Sequence, residues 1–362
     1  MMSRPLRILV APLNWGLGHA TRCIPIIQLL QERGCDVVLA SDGSALALLK
    51  DAFPDLPAFE LPGIDIRYGE RFFALRLAAQ FPALFRAVRQ ERQAVARLVR
   101  REAIDGLISD NRFGSWGSGV PDVVLSHQWT VETGNALSRW VATRLHRRIL
   151  KRYGRSWIPD NPGSDALAGR LSQAADVHAT AIGPLSRFEA AEAAPPERAQ
   201  KRILVICSGP EPLRTRFEEQ VLAQAARLPY SFLIAQGRPG QVPTPSPAPN
   251  VECRAYMDAK EVSDALAACD VVVSRTGYTT LMDLAATGAK ALLVPTPGQP
   301  EQEYLGRYCR GRGWWVIQDQ AQLDLATGIK EASLLPGAPR ITGSSSRLER
   351  AMDTFLGQIN PA

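Results

Sequence analysis

Asp270-Val-Val-Val-Ser-Arg-Thr-Gly-Tyr-Thr-Thr-Leu-Met-Asp-Leu-Ala-Ala-Thr-Gly288 passes from a short β-branched run, through a Ser-Arg-Thr-Gly turn, into a helical pattern. A wholly apolar run of this length suits a strand buried on both faces, as in a parallel sheet. Its carboxyl end opens on a helix N-terminus, where backbone N–H groups and hydroxyls hold phosphates without a metal. Asp283 lies one turn into that helix, within reach of a ribose diol. The next apolar run, 291–295, leads into Thr-Pro-Gly-Gln-Pro-Glu-Gln-Glu-Tyr (296–304), a second polar loop at the same sheet edge.

Outward from this unit the chain alternates apolar runs with helical patterns, the mark of parallel sheets covered by helices. Strands are expected at 6–12, 36–41, 103–110, 121–127 and 176–182, then at 202–208, 230–236, 250–255, 270–275, 289–295 and 314–318. The Pro195-Pro196 pair in 189–200 reads as a linker. Residues 237–249 (GRPGQVPTPSPAP) read as a surface loop. Two domains follow, 1–188 and 201–343, with a last helix at 344–358 that packs back on the first. No internal repeat is found.

The other informative stretch is Ile8-Leu-Val-Ala-Pro-Leu-Asn-Trp-Gly-Leu-Gly-His-Ala-Thr-Arg22. A buried strand runs into Gly16 and Gly18, and a helix continues to Gly34, its expected cap. Pro25 suggests that this helix starts near Thr21. A dinucleotide fingerprint needs glycine at position 21, so NAD is disfavoured. His19 follows the glycines at the carboxyl end of the first strand, where open α/β sheets bind ligands. It suits either a helix-end role or acid–base chemistry near neutral pH.

With 362 residues, 46% hydrophobic and 22% charged, the chain has the composition of a soluble globular protein, not a disordered or disulfide-stapled one. Its net charge of +6 is uneven: 1–180 holds 23 basic and 17 acidic residues, against 19 of each beyond. The excess lies in 71–101, with eight Arg and Glu91, and in 139–155, with seven basic residues and no acid. That pattern points to an anionic partner for the first domain. The six cysteines show no CxxC or zinc spacing and read as reduced thiols of a cytoplasmic protein. The N-terminal apolar run is too short for a signal peptide, and no stretch is apolar enough to span a membrane. The four histidines lack metal-ligand spacing and there is no D-x-D, so no metal is expected.

GLGHATR (16–22) with SRTGYTTLMDLAATG and PTPGQPEQEY resembles glycosyltransferases of the GT-B fold, in particular the family 28 enzymes that add N-acetylglucosamine to the lipid-linked peptidoglycan precursor. ISDNRFG (108–114), AIGPLSRF (181–188) and SGPEPLRT (208–215) are similar to an uncharacterised bacterial branch of that group. The resemblance implies an α/β protein of GT-B type, with two Rossmann-like doubly wound domains facing across a cleft. It implies a UDP-sugar co-substrate and no other cofactor. Arg275, Thr276, Gly277 and Thr280 would cradle the diphosphate, faced by Ser208 and Gly209. Asp283 takes the ribose, in place of the longer Glu usual in relatives. Gln302 reads the sugar, Gly306 replaces a second sugar-reading Asn, and Tyr256-Met257 flanks the base. Gly16, Gly18 and His19 match the acceptor-side loop, with Trp15 where relatives are small, and His127-Gln128 resembles a His-Glu-Gln stretch.

Inverting transfer needs a base for the acceptor hydroxyl and donors for the departing diphosphate. His19 is the first candidate for the base and Asp110 the reserve. Asn111 and Arg112 are expected to follow Asp110 into the same cleft, unless Asp110 only pairs with Arg112 in a turn. Residues 71–101, where Pro82 is expected to start a second helix, and 139–155 interleave Arg with apolar positions. They either face the core or dock peripherally on an anionic membrane at the inner face of the plasma membrane. Nucleic acid is not expected. The rival readings are a nucleotide-sugar hydrolase and a non-catalytic nucleotide-sugar-binding protein.

Overall fold

The computed structural model describes residues 4–63, 73–174, 176, 178–188, 200–339 and 344–360. The linker expected at 189–200 and the start of the basic segment at 71–72 lie almost wholly outside them. The chain divides into two units, Met1–Leu185 with Gly343–Ala362, and Ser186–Thr342.

The first unit is built on strands β1 (Arg7–Pro12), β2 (Asp36–Ser41), β3 (Ala58–Glu60), β4 (Gly106–Asp110), β5 (Asp122–Leu125), β6 (Arg155–Ile158) and β7 (Ala179–Ala181). All pair in parallel, in the order β3-β2-β1-β4-β5-β6-β7. Every residue of β4 and β5 is buried, as in interior strands of a parallel sheet, around the apolar Leu107-Ile108 and Val123-Val124-Leu125. The two unexpected strands lack that signal. β3 is short and half-buried, and β6 opens on Arg155 inside the basic run.

Helices α1 (Leu17–Glu32), α2 (Gly43–Ala52), α3 (Phe73–Arg101) and α4 (Ala136–Leu150) cover this sheet, with α10 (Ser344–Ile359) returning from the end of the chain. Two proline expectations are corrected. α1 begins at Leu17 and carries Pro25 in its interior, since a face of Ile24, Ile26, Ile27, Leu29 and Leu30 buried on the sheet outweighs one missing hydrogen bond. α3 likewise runs through Pro82 without a break. Gly34, at φ 73°, ends α1 in the left-handed turn expected of it, with the Cys35 amide on the Leu30 carbonyl at 3.0 Å. α10 packs on the sheet. Phe355 meets Trp157 edge-to-face at 6.0 Å, and a side chain at Gly106 would lie 2.5 Å from Ile359.

The second unit has strands β8 (Arg202–Ile206), β9 (Ser231–Ala235), β10 (Val251–Arg254), β11 (Val271–Ser274), β12 (Ala291–Leu293) and β13 (Val316–Ile317), all parallel, in the order β10-β9-β8-β11-β12-β13. Helices α5 (Leu213–Ala225), α6 (Ala259–Ala268), α7 (Tyr278–Thr287), α8 (Pro300–Arg312) and α9 (Leu325–Ala332) flank it. Local signals set their ends: Asp258 and Glu261 form a reciprocal capping box on α6, and Gly288 closes α7 at φ 69°.

Candidate active site

In an open parallel sheet, ligands bind beyond the carboxyl ends of the strands where the strand order reverses. The reversal falls between β1 and β4 in the first unit and between β8 and β11 in the second.

In the first unit, the Leu13 amide bonds the Asp110 carbonyl at 2.9 Å and ties the β1 loop to the end of β4. Gly16, at φ 79°, turns the chain into α1, with Gly18 and His19 in the first turn. His19 Nδ1 lies 3.1 Å from Asp110 Oδ1. One turn further along, Arg22 donates through Nε to Asp110 Oδ2 (2.5 Å) and through Nη2 to Asp110 Oδ1. Its Nη2 is also 2.9 Å from His19 Nδ1, and its Nη1 donates to His127 Nδ1 at 3.2 Å. His127, just past β5, is buried, and the Cys23 thiol reaches Asp110 Oδ2 at 3.9 Å.

A carboxylate only accepts and a guanidinium only donates. His19 Nδ1 lies between Asp110 Oδ1, an acceptor, and Arg22 Nη2, a donor; with its Nδ1–H directed at Asp110, the Nε2 lone pair is the basic position. Because Arg22 donates to His127 Nδ1, the His127 proton sits on Nε2. Side-chain exposure is 14% for His19 against 2% for Arg22 and none for Asp110, so of the three the imidazole is the one a reactant reaches. Burial pushes the Asp110 carboxyl up, but Arg22, His19 and their hydrogen bonds outweigh it and hold it down at about 2. For His19, burial is the largest influence and lowers the imidazole; Asp110 opposes it, while Arg22 and His127 lower it further. The pair suits proton transfer with His19 as acceptor and Asp110 permanently ionised.

Arg112 does not share this site and does not pair with Asp110. The chain turns at Asn111, in the left-handed region at φ 54°, and Arg112 enters a separate buried network. There its guanidinium holds Glu91 (2.5 Å), Asp42 (2.7 Å) and the carbonyls of Pro62 and Pro12. Arg22 is the residue that sequence reasoning missed. Its signal was an Arg three residues after His19 on a helix whose next residues are apolar.

In the second unit, β8 leads to Ser208 and to Gly209 at φ 109°. β11 leads through Arg275 and Thr276 to Gly277, which precedes α7, and Thr280 Oγ1 lies 3.7 Å from where a side chain at Gly277 would begin. The Thr276 hydroxyl donates to the Gln302 carbonyl (2.8 Å). Gln302 folds its own loop: Oε1 accepts from the Thr296 amide (3.0 Å) and Nε2 donates to Gln299 (2.7 Å). Thr296 is fully buried, and its hydroxyl, without a hydrogen-bond partner among the described residues, sits 3.6 Å from the side-chain position of Gly209. Arg275 corrects an expectation. Its guanidinium is buried over the Phe217 ring (4.3 Å) and donates to the carbonyls of Leu213, Val294 and Pro295, so it braces the three loops from beneath. Burial lowers it to about 10.

Asp283 is half-buried and accepts from the Ser186 hydroxyl at 2.7 Å. Burial pushes its carboxyl up to about 7 against the opposing effects of Ser186 and Arg187. Ser186 and Arg187, from the AIGPLSRF stretch, thus join this site, a grouping the sequence did not show. Met257 is buried just before α6. Gly306 faces the core, where a side chain would lie 2.7 Å from Pro295 and 3.2 Å from Ile317. Among the described residues no group of three or more His, Cys, Asp or Glu could hold a metal ion.

Residues 213–327 match the C-terminal domain of glycosyltransferase family 28. The chain is 26% identical to a Pasteurella multocida enzyme over 98% of its own length and 96% of the other. That relative is the UDP-N-acetylglucosamine–N-acetylmuramyl-(pentapeptide) pyrophosphoryl-undecaprenol N-acetylglucosamine transferase. The chain is a glycosyltransferase that carries a family 28 C-terminal domain and resembles family 28 enzymes over nearly its whole length. The glycosyltransferase shares its GT-B fold with MurG of Acinetobacter baumannii (TM-score 0.62, 13% identity, 97% of this chain and 100% of that). The same holds for the glycosyltransferase SnogD of Streptomyces nogalater (TM-score 0.61, 17% identity, 99% and 100%).

Proposed function

We propose that this glycosyltransferase moves a sugar from a UDP-linked donor to a hydroxyl of a lipid-linked acceptor, with inversion and without a metal. The observation that carries the reading is the His19–Asp110 pair at the β1/β4 reversal, a base with a fixed orienter. His19 Nε2 takes the acceptor proton as its oxygen bonds the anomeric carbon. The bond from that carbon to the diphosphate oxygen breaks, and UDP leaves with the electron pair. The α7 N-terminus, Gly277, Thr280 and the Ser208-Gly209 turn receive the diphosphate, a use of backbone dipoles that lowers the barrier to departure. Asp283 takes the ribose once Ser186 yields its hydrogen bond, with Met257 beside the base and Gln302 beside the sugar. Similarity to the Pasteurella multocida enzyme supports UDP as the nucleotide and a polyprenyl-linked acceptor.

The outer face of α4 supports work at an anionic lipid surface. Leu137, Trp140, Val141 and Leu145 are exposed, and they recur at helical spacing with Arg144 and Arg148 on the same stripe. These apolar positions do not face the core. Arg147, by contrast, is spent on the Trp129 carbonyl at 2.7 Å. No helix among the described residues is long and apolar enough to cross a membrane. Trp140→Ala/Leu145→Ala and Arg144→Glu/Arg148→Glu should each lose co-sedimentation with phosphatidylglycerol vesicles; unchanged binding in both refutes this contact.

A thermal-shift panel of UDP, GDP, dTDP and their sugars, followed by product analysis with the best ligand, tests the donor. A UDP-sugar should stabilise most and yield a glycosylated acceptor. Full-rate UDP release without acceptor would instead mark a hydrolase, and binding without turnover a sensor.

A further inference from the structure

Arg22 is a buried cation paired with Asp110, and it also contacts His19 and His127 of the first-unit site. From α1 it grips both oxygens of Asp110 at the end of β4, lies 2.9 Å from His19 Nδ1, and donates across to His127 beyond β5 at 3.2 Å. The groups that face His19 are therefore Asp110, Arg22 and His127, with Cys23 behind the carboxylate. In a simple His–Asp pair the carboxylate is free to rotate and its full charge stabilises the imidazolium. Here both oxygens are held in one plane by a bidentate guanidinium, and the neighbouring charge that His19 meets is close to zero.

We propose that Arg22 is a positioning residue for transfer: it locks Asp110 as a fixed acceptor for His19 Nδ1, offsets the carboxylate charge that His19 faces, and orients His127 as an Nε2–H donor. This rests on the reading of His19 as the base. The rate needs neutral His19, so it rises with pH through the imidazole titration. Removing the guanidinium charge removes an influence that lowers that titration, and the acid limb of the rate profile then moves to higher pH.

The test uses the full chain with Arg22→Met, Arg22→Lys and, in parallel, His19→Gln. Each is assayed for kcat/KM against pH, with NMR titration of labelled histidines. Arg22→Met should shift the acid limb and the His19 titration upward together, cut kcat at pH 7 about tenfold or more, and leave donor KM within about twofold. Arg22→Lys keeps the charge but cannot hold two oxygens and His127 at once; it should keep the limb near its native position while kcat falls. In both, His127 should lose its Nε2–H preference. An unmoved limb and unmoved His19 titration in Arg22→Met overturn the proposal. If that variant does not fold, native kcat and native His127 tautomer in Arg22→Lys overturn it instead. Native activity in His19→Gln would overturn the base assignment itself, whatever the Arg22 variants do.

Discussion

Asp110→Asn isolates the ion pair beneath the base. Asp110 is fully buried and accepts from Arg22 Nε, Arg22 Nη2 and His19 Nδ1. An amide of the same shape leaves the guanidinium buried without its counter-charge, and half of the amide is a donor facing donors. Breaking a buried pair this way costs about 3–5 kcal/mol. The depression of the carboxyl from 3.8 to about 2 gives an independent scale, at about 1.4 kcal/mol per unit roughly 2–3 kcal/mol. The variant's larger figure reflects the stranded cation. Because the folded value is depressed, this stability is present above about 3.8 and is lost as pH falls through about 2. Urea unfolding at pH 7, followed by circular dichroism, should show Asp110→Asn less stable by about 3 kcal/mol. Adding Arg22→Met should recover much of that loss, because neither charge is then left alone. A loss under about 1 kcal/mol, or no recovery in the double variant, would show that the two charges do not depend on each other.

Asp283 carries the opposite sign. Its raised value of about 7 means that its contribution to stability is complete below the unfolded value and is lost as pH rises through about 7. Asp283→Asn should therefore gain on the native protein in thermal unfolding as pH rises from about 3.8 to about 7, and level off above it. UDP affinity, measured by calorimetry, should rise as pH passes through about 7 in the native protein and stay flat and weaker in the variant. Gly306→Asn should destabilise the second unit by about 1–3 kcal/mol through overpacking against Pro295, without improving sugar binding. Arg275→Met should lower the melting temperature of the second unit as well as UDP affinity, since the guanidinium braces the loops after β8, β11 and β12.

The sheets were legible because buried parallel strands write themselves as unbroken apolar runs. All six strands of the second unit lie within the expected stretches, as do five of the seven in the first. β3 and β6 escaped because a half-buried edge and a strand opening on Arg155 carry no such run. Both loops at the strand-order reversals were legible from glycine followed by a polar cluster at a strand end. Side-chain direction was not. Arg112 and Arg275, both expected at the sites, turn into the protein, while Arg22, on the inward side of α1, turns toward the site. Helical spacing located the stripe on α4, but whether it faced core or solvent depended on packing that no local pattern records.

The most direct test of the account is sugar transfer by His19→Ala, measured beside its UDP affinity. On the proposed roles, His19→Ala should lower kcat by about 10²–10⁴-fold while UDP affinity stays native. Transfer at the native rate in His19→Ala would contradict the assignment of the base and the chemistry built on it.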